Sequence, residues 1–309
     1  HGLRNIPTRI AARAVRLGLP EETVAAEYKA RLAMELEALR SKRFASYILV
    51  VQELFDFARG AGIYVGPGRG SGAGSLVNYL VGITSVDPIE YGLMFERFIS
   101  PARNDMPDID MDFEDERRGE VVAWIRQRYG ERHVAQIATW SRLKGKAIFG
   151  EVCKKLGVSD PATKAIGKQI DRLMHERKAG DARYVMTVID AMEADFAKPF
   201  AAKHPELVEH CKALEGKMRH CGMHAAGVVA CPIDLRDAVP LETAEDKASG
   251  KRVAVTAFDM NGAAAVSLLK LDVLGLKTMT VIRLACQEIT KKLGQPFGLT
   301  ELENMSLED

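Results

Sequence analysis

The chain has 309 residues, of which 47% are apolar and 28% charged, and its formal net charge is +1. A chain of this length can bury two hydrophobic cores, so we expect about two domains. No apolar run reaches the roughly 20 residues that cross a bilayer, and the amino end lacks a signal-peptide pattern, which predicts a cytoplasmic protein without membrane contact. Because the first residue is His1, we expect the chain to be part of a longer protein.

Helices are predicted for the amino-terminal part of the chain. Good helix formers dominate residues 21–57, with leucine and alanine repeating at spacings of three and four, and a further amphipathic helix is predicted from Ser46 to Gly60. Residues 63–65 then predict a short strand that runs into a glycine-rich loop.

This loop is the first candidate functional segment. It reads GPGRGSGAG, and a helix is predicted to follow from Ser75 to Leu80. Glycines let backbone amides approach an anion closely, and the helix amino end and Arg69 add positive charge. The Gly-Lys-Ser/Thr ending of a Walker loop is missing. A dinucleotide fingerprint fits residues 68–73, with Asp87 as ribose ligand, so a nicotinamide-nucleotide oxidoreductase is one alternative and a plain flexible turn is another.

Three aspartates at alternate positions mark the next segment, PDIDMDF. Side chains alternate along a strand, so Asp108, Asp110 and Asp112 are predicted to share one face and the apolar residues the other. Like charges about 6.6 Å apart repel one another, which favours a bound hard cation such as Mg²⁺. A charged edge strand is the simpler alternative. An EF-hand calcium loop is excluded, because its sixth and twelfth positions would hold Phe113 and Gly119.

A basic, helical region follows. After a helix predicted from Glu114 to Tyr129 and a strand from Val134 to Thr139, residues 141–223 are predicted to be mostly helical. Between Thr139 and Met223 the chain has 16 Lys and Arg against 11 Asp and Glu, a net +5 that leaves −4 for the remainder. A basic lobe beside an acidic centre suits a protein that handles phosphates.

Cysteine and histidine offer an alternative metal site. Cys221 and His224 have the spacing of a zinc-ligand pair, with Cys211 and Cys231 nearby. Structural zinc sites usually combine two close pairs, whereas Cys211 and Cys231 stand alone, so free buried thiols are the favoured interpretation.

Strand patterns return at residues 227–230, 253–255 and 267–273, so one sheet is predicted to include strands from both sides of the helical region. In the last of these, Lys270 and Asp272 share one face. A lone Lys-x-Asp pair is usually a surface ion pair. Beside the acidic strand, however, Asp272 would become a further carboxylate ligand, and Lys270 would be a cation close to the phosphates. The carboxylates, the glycine-rich loop and the lysine together predict nucleotidyl transfer with two Mg²⁺ ions about 4 Å apart.

The same segments resemble a known family. The run from Tyr64 to Phe113 and the later segments His224 to Val229 and Leu269 to Leu276 are similar, in this order, to the bacterial replicative DNA polymerase III alpha subunits, the family C polymerases. The resemblance covers about residues 21–309. It implies an α+β fold, with a polymerase-beta-like nucleotidyltransferase palm on a mixed sheet and an inserted all-helical thumb. The implied domains are a palm at residues 1–139 and 224–280, a thumb at 140–223, and the start of the connection to the fingers at 281–309.

The resemblance also implies roles for residues and partners. The catalytic, metal-binding aspartates would be Asp108, Asp110 and Asp272, which leaves Asp112 as a neighbour. The nucleotide phosphates would contact Gly70, Ser71, Arg69, Arg97 and Lys270. The implied activity is DNA-directed DNA polymerisation in replication, with two Mg²⁺ ions, primer-template DNA, deoxynucleoside triphosphates, and other replisome subunits that bind segments outside this chain. A non-catalytic DNA-binding module is the remaining alternative.

Three basic residues of the helical region, Arg142, Lys144 and Lys146, are expected to contact the primer-template backbone without reading bases, since a copying enzyme must accept every sequence. A solvated helix face is the alternative.

Overall fold

The computed structural model describes residues 6–100, 106–175, 187–246, 250–303 and 305. The chain divides into two compact units: residues 1–138 and 223–309 form unit 1, and residues 139–222 form unit 2. The combination of helices with a six-stranded mixed sheet confirms the predicted α+β class.

The elements have the following bounds. The strands are β1 (Asp110–Glu114), β2 (Val134–Arg142), β3 (Met218–Ala230), β4 (Leu241–Asp246), β5 (Lys251–Thr256) and β6 (Leu269–Leu276). The helices are α1 (Ile6–Leu17), α2 (Glu21–Ser41), α3 (Ala45–Gly60), α4 (Leu76–Leu80), α5 (Arg118–Tyr129), α6 (Gly145–Lys155), α7 (Ala162–His175), α8 (Val188–Glu193), α9 (Lys198–Lys203), α10 (Pro205–Leu214), α11 (Leu235–Ala238), α12 (Met260–Ala265), α13 (Lys277–Leu293) and α14 (Leu299–Glu303). Short 3-10 helices span Gly70–Gly74, Phe95–Arg97 and Asp115–Arg117.

The sheet has the strand order β1-β6-β3-β2-β5-β4. β1 runs parallel to β6 and β2 parallel to β5, whereas β3 is antiparallel to β6 and β4 to β5. Strands from both sides of the helical region therefore share one sheet, as the sequence predicts.

One face of this sheet is apolar in unit 1. Met111 and Phe113 of β1 and Leu271 and Val273 of β6 are fully buried and pack with α3 and α5 in one core cluster. Burial of a side chain of this size contributes about 1.5–3 kcal/mol. Because side chains alternate along a strand, the charged residues between these positions lie on the opposite face.

Unit 2 has a core of its own. Side chains from α6 to α10 form one cluster, in which the rings of Phe149 and Phe200 lie 5.7 Å apart and Ile170, Leu207 and Cys211 are fully buried. None of the helices in the described ranges combines the length and the apolar character that a membrane span requires.

Several predicted boundaries are wrong. The acidic strand begins at Asp110, because the N–H of Ile109 donates to the hydroxyl of Tyr47 rather than to a neighbouring strand. Residues 63–65 contribute only an isolated antiparallel bridge, from Val65 to Phe113. The predicted helical range 141–223 contains strand at both ends, since β2 continues to Arg142 and β3 begins at Met218.

Sequence reasoning missed the strand β4 and the helices α1, α11, α12, α13 and α14. The polar hairpin strand β4 has weak strand propensity of its own and is stabilised by its pairing with β5 along its whole length. Helix α1 was not predicted either, and its buried Ile10 and Ala14 pack against α2 and α4.

The buried carboxylate of Glu35 fixes the helix that follows the glycine-rich loop. It accepts hydrogen bonds from Ser75 Oγ at 2.9 Å and from the backbone N–H groups of Leu76 and Val77 at 2.9 and 3.0 Å. These N–H groups lie in the first turn of α4, where no partner within the helix is available. Glu35 thus caps α4 from a distant part of the chain.

Arg31 completes this arrangement. Its Nε atom donates to Glu35 Oε1 at 2.7 Å, and its Nη2 atom donates to the carbonyl oxygens of Gly74 and Leu93 at 2.7 and 3.0 Å. One ion pair, in which Glu35 is fully buried and Arg31 partly buried, therefore ties α2 to both the end of the glycine-rich loop and the segment before Phe95.

Replacing Glu35 by glutamine is expected to destabilise the fold by about 3 kcal/mol, because the amide cannot accept from all these donors and leaves the Arg31 charge uncompensated. Urea denaturation measures the change. Glu37→Gln is the matched control on the same helix: its exposed pair with Arg40 spans 3.0 Å, and its loss should cost at most about 0.5 kcal/mol. Equal unfolding midpoints for the two variants would contradict this account.

Candidate active site

Two distant acidic segments meet at one edge of the sheet. In the parallel pairing of β1 and β6, Asp110 lies directly opposite Asp272. Asp108 lies just before β1 and contacts Lys270, from which it is separated by 162 positions in the sequence. The side chains become less exposed along the motif: 58% for Asp108, 37% for Asp110 and 6% for Asp112, with Asp272 at 12%.

Lys270 lies between two of these carboxylates. Its Nζ atom is 3.1 Å from Asp108 Oδ2 and 2.8 Å from Asp272 Oδ2. Burial alone would lower the pKa of Lys270, but the hydrogen bonds and charges of Asp272 and Asp108 raise it above the ordinary lysine value. Burial also raises the pKa of Asp272, an effect that the neighbouring Asp108 reinforces and Lys270 opposes.

Arg69 of the glycine-rich loop lies close to the other two acids. Its Nε and Nη2 atoms donate to the two oxygens of Asp112 at 3.1 and 3.0 Å, and Nη2 lies 3.8 Å from Asp110 Oδ1. Such a two-point guanidinium–carboxylate contact fixes geometry as well as charge. Asp112 therefore anchors the loop, which sequence reasoning did not anticipate.

The glycines of the loop permit its close approach to the acids. A Cβ atom added to Gly66 would lie 2.9 Å from Asp112 Cβ, and one added to Gly70 would lie 3.4 Å from Asp110 Oδ2. Gly68 and Gly70 adopt φ angles of +107° and +67°, which favour glycine. The backbone of the loop therefore passes directly over the acidic strand.

Gly70 and the half-buried Ser71 begin the 3-10 helix Gly70–Gly74. The first N–H groups of such a turn have no partner within it, and they are available to an acceptor from outside. Arg97 is exposed at the end of the 3-10 helix Phe95–Arg97, and it makes no hydrogen bond or ion pair within the part of the chain that the structure describes. The structure thus brings Gly70, Arg69 and Lys270 to the acids and leaves Arg97 unengaged.

A buried phenol forms a hydrogen bond with the backbone of the acidic motif. The hydroxyl of Tyr47, on α3, accepts a hydrogen bond of 3.0 Å from the N–H of Ile109, which lies between Asp108 and Asp110. Burial raises the pKa of Tyr47, and the negative charges of the nearby aspartates raise it further, so the phenol remains protonated.

The aspartates do not converge on one point. Among the residues that the structure describes, no group of three or more His, Cys, Asp or Glu side chains is arranged to hold a metal ion. Lys270 and Arg69 lie among the carboxylates. The donors nevertheless suit Mg²⁺, because they are hard carboxylate oxygens and Asp272 Oδ1 is buried with no hydrogen-bond partner in the described ranges.

The other predicted sites lie elsewhere. Arg142 ends β2, where its Nη1 atom donates to Gly216 O at 2.9 Å. Lys144 immediately precedes α6, and Lys146, within α6, pairs with Asp171 at 3.5 Å. All three are exposed and belong to unit 2.

The residues considered for a ribose contact or a zinc site are engaged within the fold. Asp87 is buried, its carboxylate bonds to the hydroxyl of Tyr28 and to the N–H of Ile89, and this does not support a ribose contact. His224 Nδ1 accepts from the N–H of Gly227 at 2.8 Å, and Cys211 is part of the unit 2 core.

Carboxylates on adjacent strands, covered by a glycine-rich loop, define a class of site that can hold a divalent cation against a polyphosphate. Comparison with protein families agrees with this class. The bacterial DNA polymerase III alpha NTPase domain family matches residues 3–275, and the chain belongs to this family. The resemblance found from the sequence is thereby confirmed.

Individual relatives carry the same name. The chain is 40% identical to the DNA polymerase III subunit alpha of Thermus aquaticus over 252 residues, which is 82% of this chain and 20% of that protein. It is 38% identical over 281 residues to the subunit of Campylobacter jejuni, covering 90% of this chain and 22% of the relative. The chain therefore spans about a fifth of the length of the curated relatives it matches.

Sequence reasoning missed Tyr47 and the Arg31–Glu35 pair. A buried phenol looks like any core aromatic residue in a sequence, and a carboxylate on a helix of mixed charge looks like a surface residue. The one available signal was Ser75, whose spacing from Asn78 fits a helix cap that needs further acceptors nearby.

Gly68→Ala is expected to displace the loop and to destabilise the chain by about 2 kcal/mol more than Gly92→Ala. Both glycines have positive φ angles, but an added Cβ at Gly68 would lie 2.6 Å from Thr84 Cγ2, whereas Gly92 has open space. The difference between the two variants therefore reports the steric contact together with the additional backbone strain at a φ of +107°, compared with +60° at Gly92. Urea denaturation compares the two, and equal losses would show that the loop accommodates the methyl group.

Proposed function

We propose that this chain is the palm and thumb part of a DNA-directed DNA polymerase that adds deoxynucleotides to a primer 3′-hydroxyl during replication. The observation that carries the proposal is the register of β1 and β6, which puts Asp110 opposite Asp272 beneath a glycine-rich loop. Membership of the polymerase III alpha family supports it. On this proposal unit 1 is the palm, of the polymerase-beta-like nucleotidyltransferase type, and unit 2 is the inserted thumb.

Asp108, Asp110 and Asp272 are the proposed catalytic residues and would hold two Mg²⁺ ions. When bound, the ions lower the pKa of the attacking hydroxyl and shield the charge of the leaving pyrophosphate. The chain's own residues position the reactants. The amides of Gly70 and Ser71 receive the phosphates, and Arg69 remains fixed to Asp112 while it presents positive charge toward them.

Lys270 is proposed to interact first with the aspartates and then with the nucleotide. Its ammonium group contacts Asp108 and Asp272 in the absence of substrate, and with substrate it is available to the anionic triphosphate. Arg97, which is exposed and unengaged within the described ranges, is a further proposed phosphate contact. Primer-template DNA and deoxynucleoside triphosphates are the proposed partners, with other replisome subunits bound by other parts of the polymerase. A cytoplasmic location stays a prediction.

Asp110→Asn and Asp272→Asn are each expected to reduce the rate of primer extension by at least about 100-fold in the full-length polymerase, with little change in folding, because these carboxylates act in the transition state. Asp56→Asn, at an exposed position of α3, is the control and should retain full activity. Single-nucleotide incorporation on a primer-template measures the rates. Near-normal extension by either site variant would end the assignment, and so would a wild-type protein that binds primer-template but incorporates nothing.

Replacing Arg142, Lys144 and Lys146 together by glutamine is expected to weaken duplex binding and to reduce the slope of log affinity against log salt concentration by about 3, roughly one unit per lost phosphate contact. Fluorescence anisotropy of a labelled primer-template over a range of salt concentrations measures both quantities in the full-length polymerase.

A second triple variant serves as the control for this experiment. The exposed Lys154, Lys155 and Lys164 lie in the same unit, and their replacement by glutamine removes the same charge. The control should keep the wild-type slope. Equal slopes for both triple variants would remove the proposed contact.

A further inference from the structure

A buried hydroxyl group is the acceptor for the backbone of the acidic motif. The N–H of Ile109 donates to Tyr47 Oη at 3.0 Å, and both side chains are at most 3% exposed. Buried N–H groups require an acceptor, and most N–H groups near a sheet find one on a neighbouring strand. Ile109 precedes β1, so the phenol replaces the missing strand partner.

This hydrogen bond lies between two of the acidic residues. Ile109 is flanked by Asp108 and Asp110, and its backbone orientation determines where both carboxylates point. Tyr47 belongs to the first turn of α3 and packs in the same core cluster as Met111 and Phe113. The core therefore fixes the ring of Tyr47, and the hydroxyl in turn fixes the peptide group between Asp108 and Asp110.

We propose that Tyr47 is a positioning residue for the reaction: its hydroxyl sets the backbone at Ile109 so that Asp108 and Asp110 can bind a divalent cation together. The inference rests on the proposed function. Tyr47 lies beneath the motif and does not touch substrate. Its effect is expected on cation affinity and on the rate of the chemical step, rather than on the affinity for the incoming nucleotide.

Tyr47→Phe keeps the ring and removes only the acceptor, which leaves a buried N–H unpaired. Tyr28→Phe is the matched control, because Tyr28 is equally buried on the neighbouring helix α2 and its hydroxyl bonds to Asp87, outside the acidic motif. Both variants lose one buried hydroxyl and its hydrogen bond. A difference in activity or cation binding between the two variants is therefore due to the position of the Tyr47 hydroxyl beside the acidic motif, and not to a general loss of stability.

The experiment uses the full-length polymerase with two readouts. The first is Mn²⁺ binding, followed by electron paramagnetic resonance without substrate. The second is single-nucleotide incorporation at varied Mg²⁺ and nucleotide concentrations. We expect Tyr47→Phe to weaken Mn²⁺ binding and to lower kcat, each by about tenfold, with the KM for nucleotide changed less than about twofold. Tyr28→Phe should stay within about twofold of wild type in all three quantities.

The readouts separate this inference from the proposed function. If wild type incorporates nucleotides and Asp110→Asn does not, but Tyr47→Phe and Tyr28→Phe have equal Mn²⁺ affinity and kcat, the positioning role is overturned while the polymerase assignment stands. If wild type incorporates nothing, the proposed function fails, and the Mn²⁺ measurement alone decides the role of Tyr47. Wild-type protein that does not bind Mn²⁺ would overturn both.

Discussion

The mutual repulsion of four aspartates on adjacent strand segments is the constraint on which the site depends. At about 4 Å, two unit charges interact by about 4 kcal/mol near a protein surface, so an uncompensated group would force the strands apart. Lys270 and Arg69 each contact two of these acids. Two cations against four carboxylates leave a residual charge of −2, and Asp272 Oδ1 keeps a free lone pair. The arrangement is stable enough to form, yet it retains the charge and the donor atom that a divalent cation would satisfy.

Buried and partly buried polar contacts hold the elements that surround these acids. The Arg31–Glu35 pair fixes the end of the glycine-rich loop, the Arg69–Asp112 contact fixes its middle, and Tyr47 fixes the approach to β1. Each of these groups joins segments that are distant in sequence. Hydrogen bonds to buried groups such as Glu35, Asp112 and the N–H of Ile109 are costly to break, and they keep side chains in place before a ligand arrives. The site is therefore preorganised by groups that need not contact the substrate.

The sequence predicted the parts of the fold that depend on local pattern. The alternation of acids with Ile109, Met111 and Phe113 follows from strand geometry, and the burial of the apolar set agrees with it. Partners that depend on tertiary contacts could not be found in this way. The strand β4 forms because β5 is beside it, and the start of β1 depends on a tyrosine more than 60 positions earlier. Likewise, the sequence suggested Lys270 as a phosphate contact and placed it beside Asp272, but its contact with Asp108 became evident only from the fold.

The two faces of the sheet are coupled by register. Side chains alternate along a strand, so a slip of one residue between β1 and β6 would turn Asp272 toward the core and bury its charge there. Such a slip would also expose the fully buried Leu271 and Val273, which the packing of α3 and α5 strongly disfavours. Arg118 adds a further restraint at this point, because its Nε atom donates to the carbonyl oxygen of Val273 at 2.6 Å. Hydrophobic packing on one face thus determines which carboxylates meet on the other, and the chemistry of the acidic edge is in this sense a property of the core.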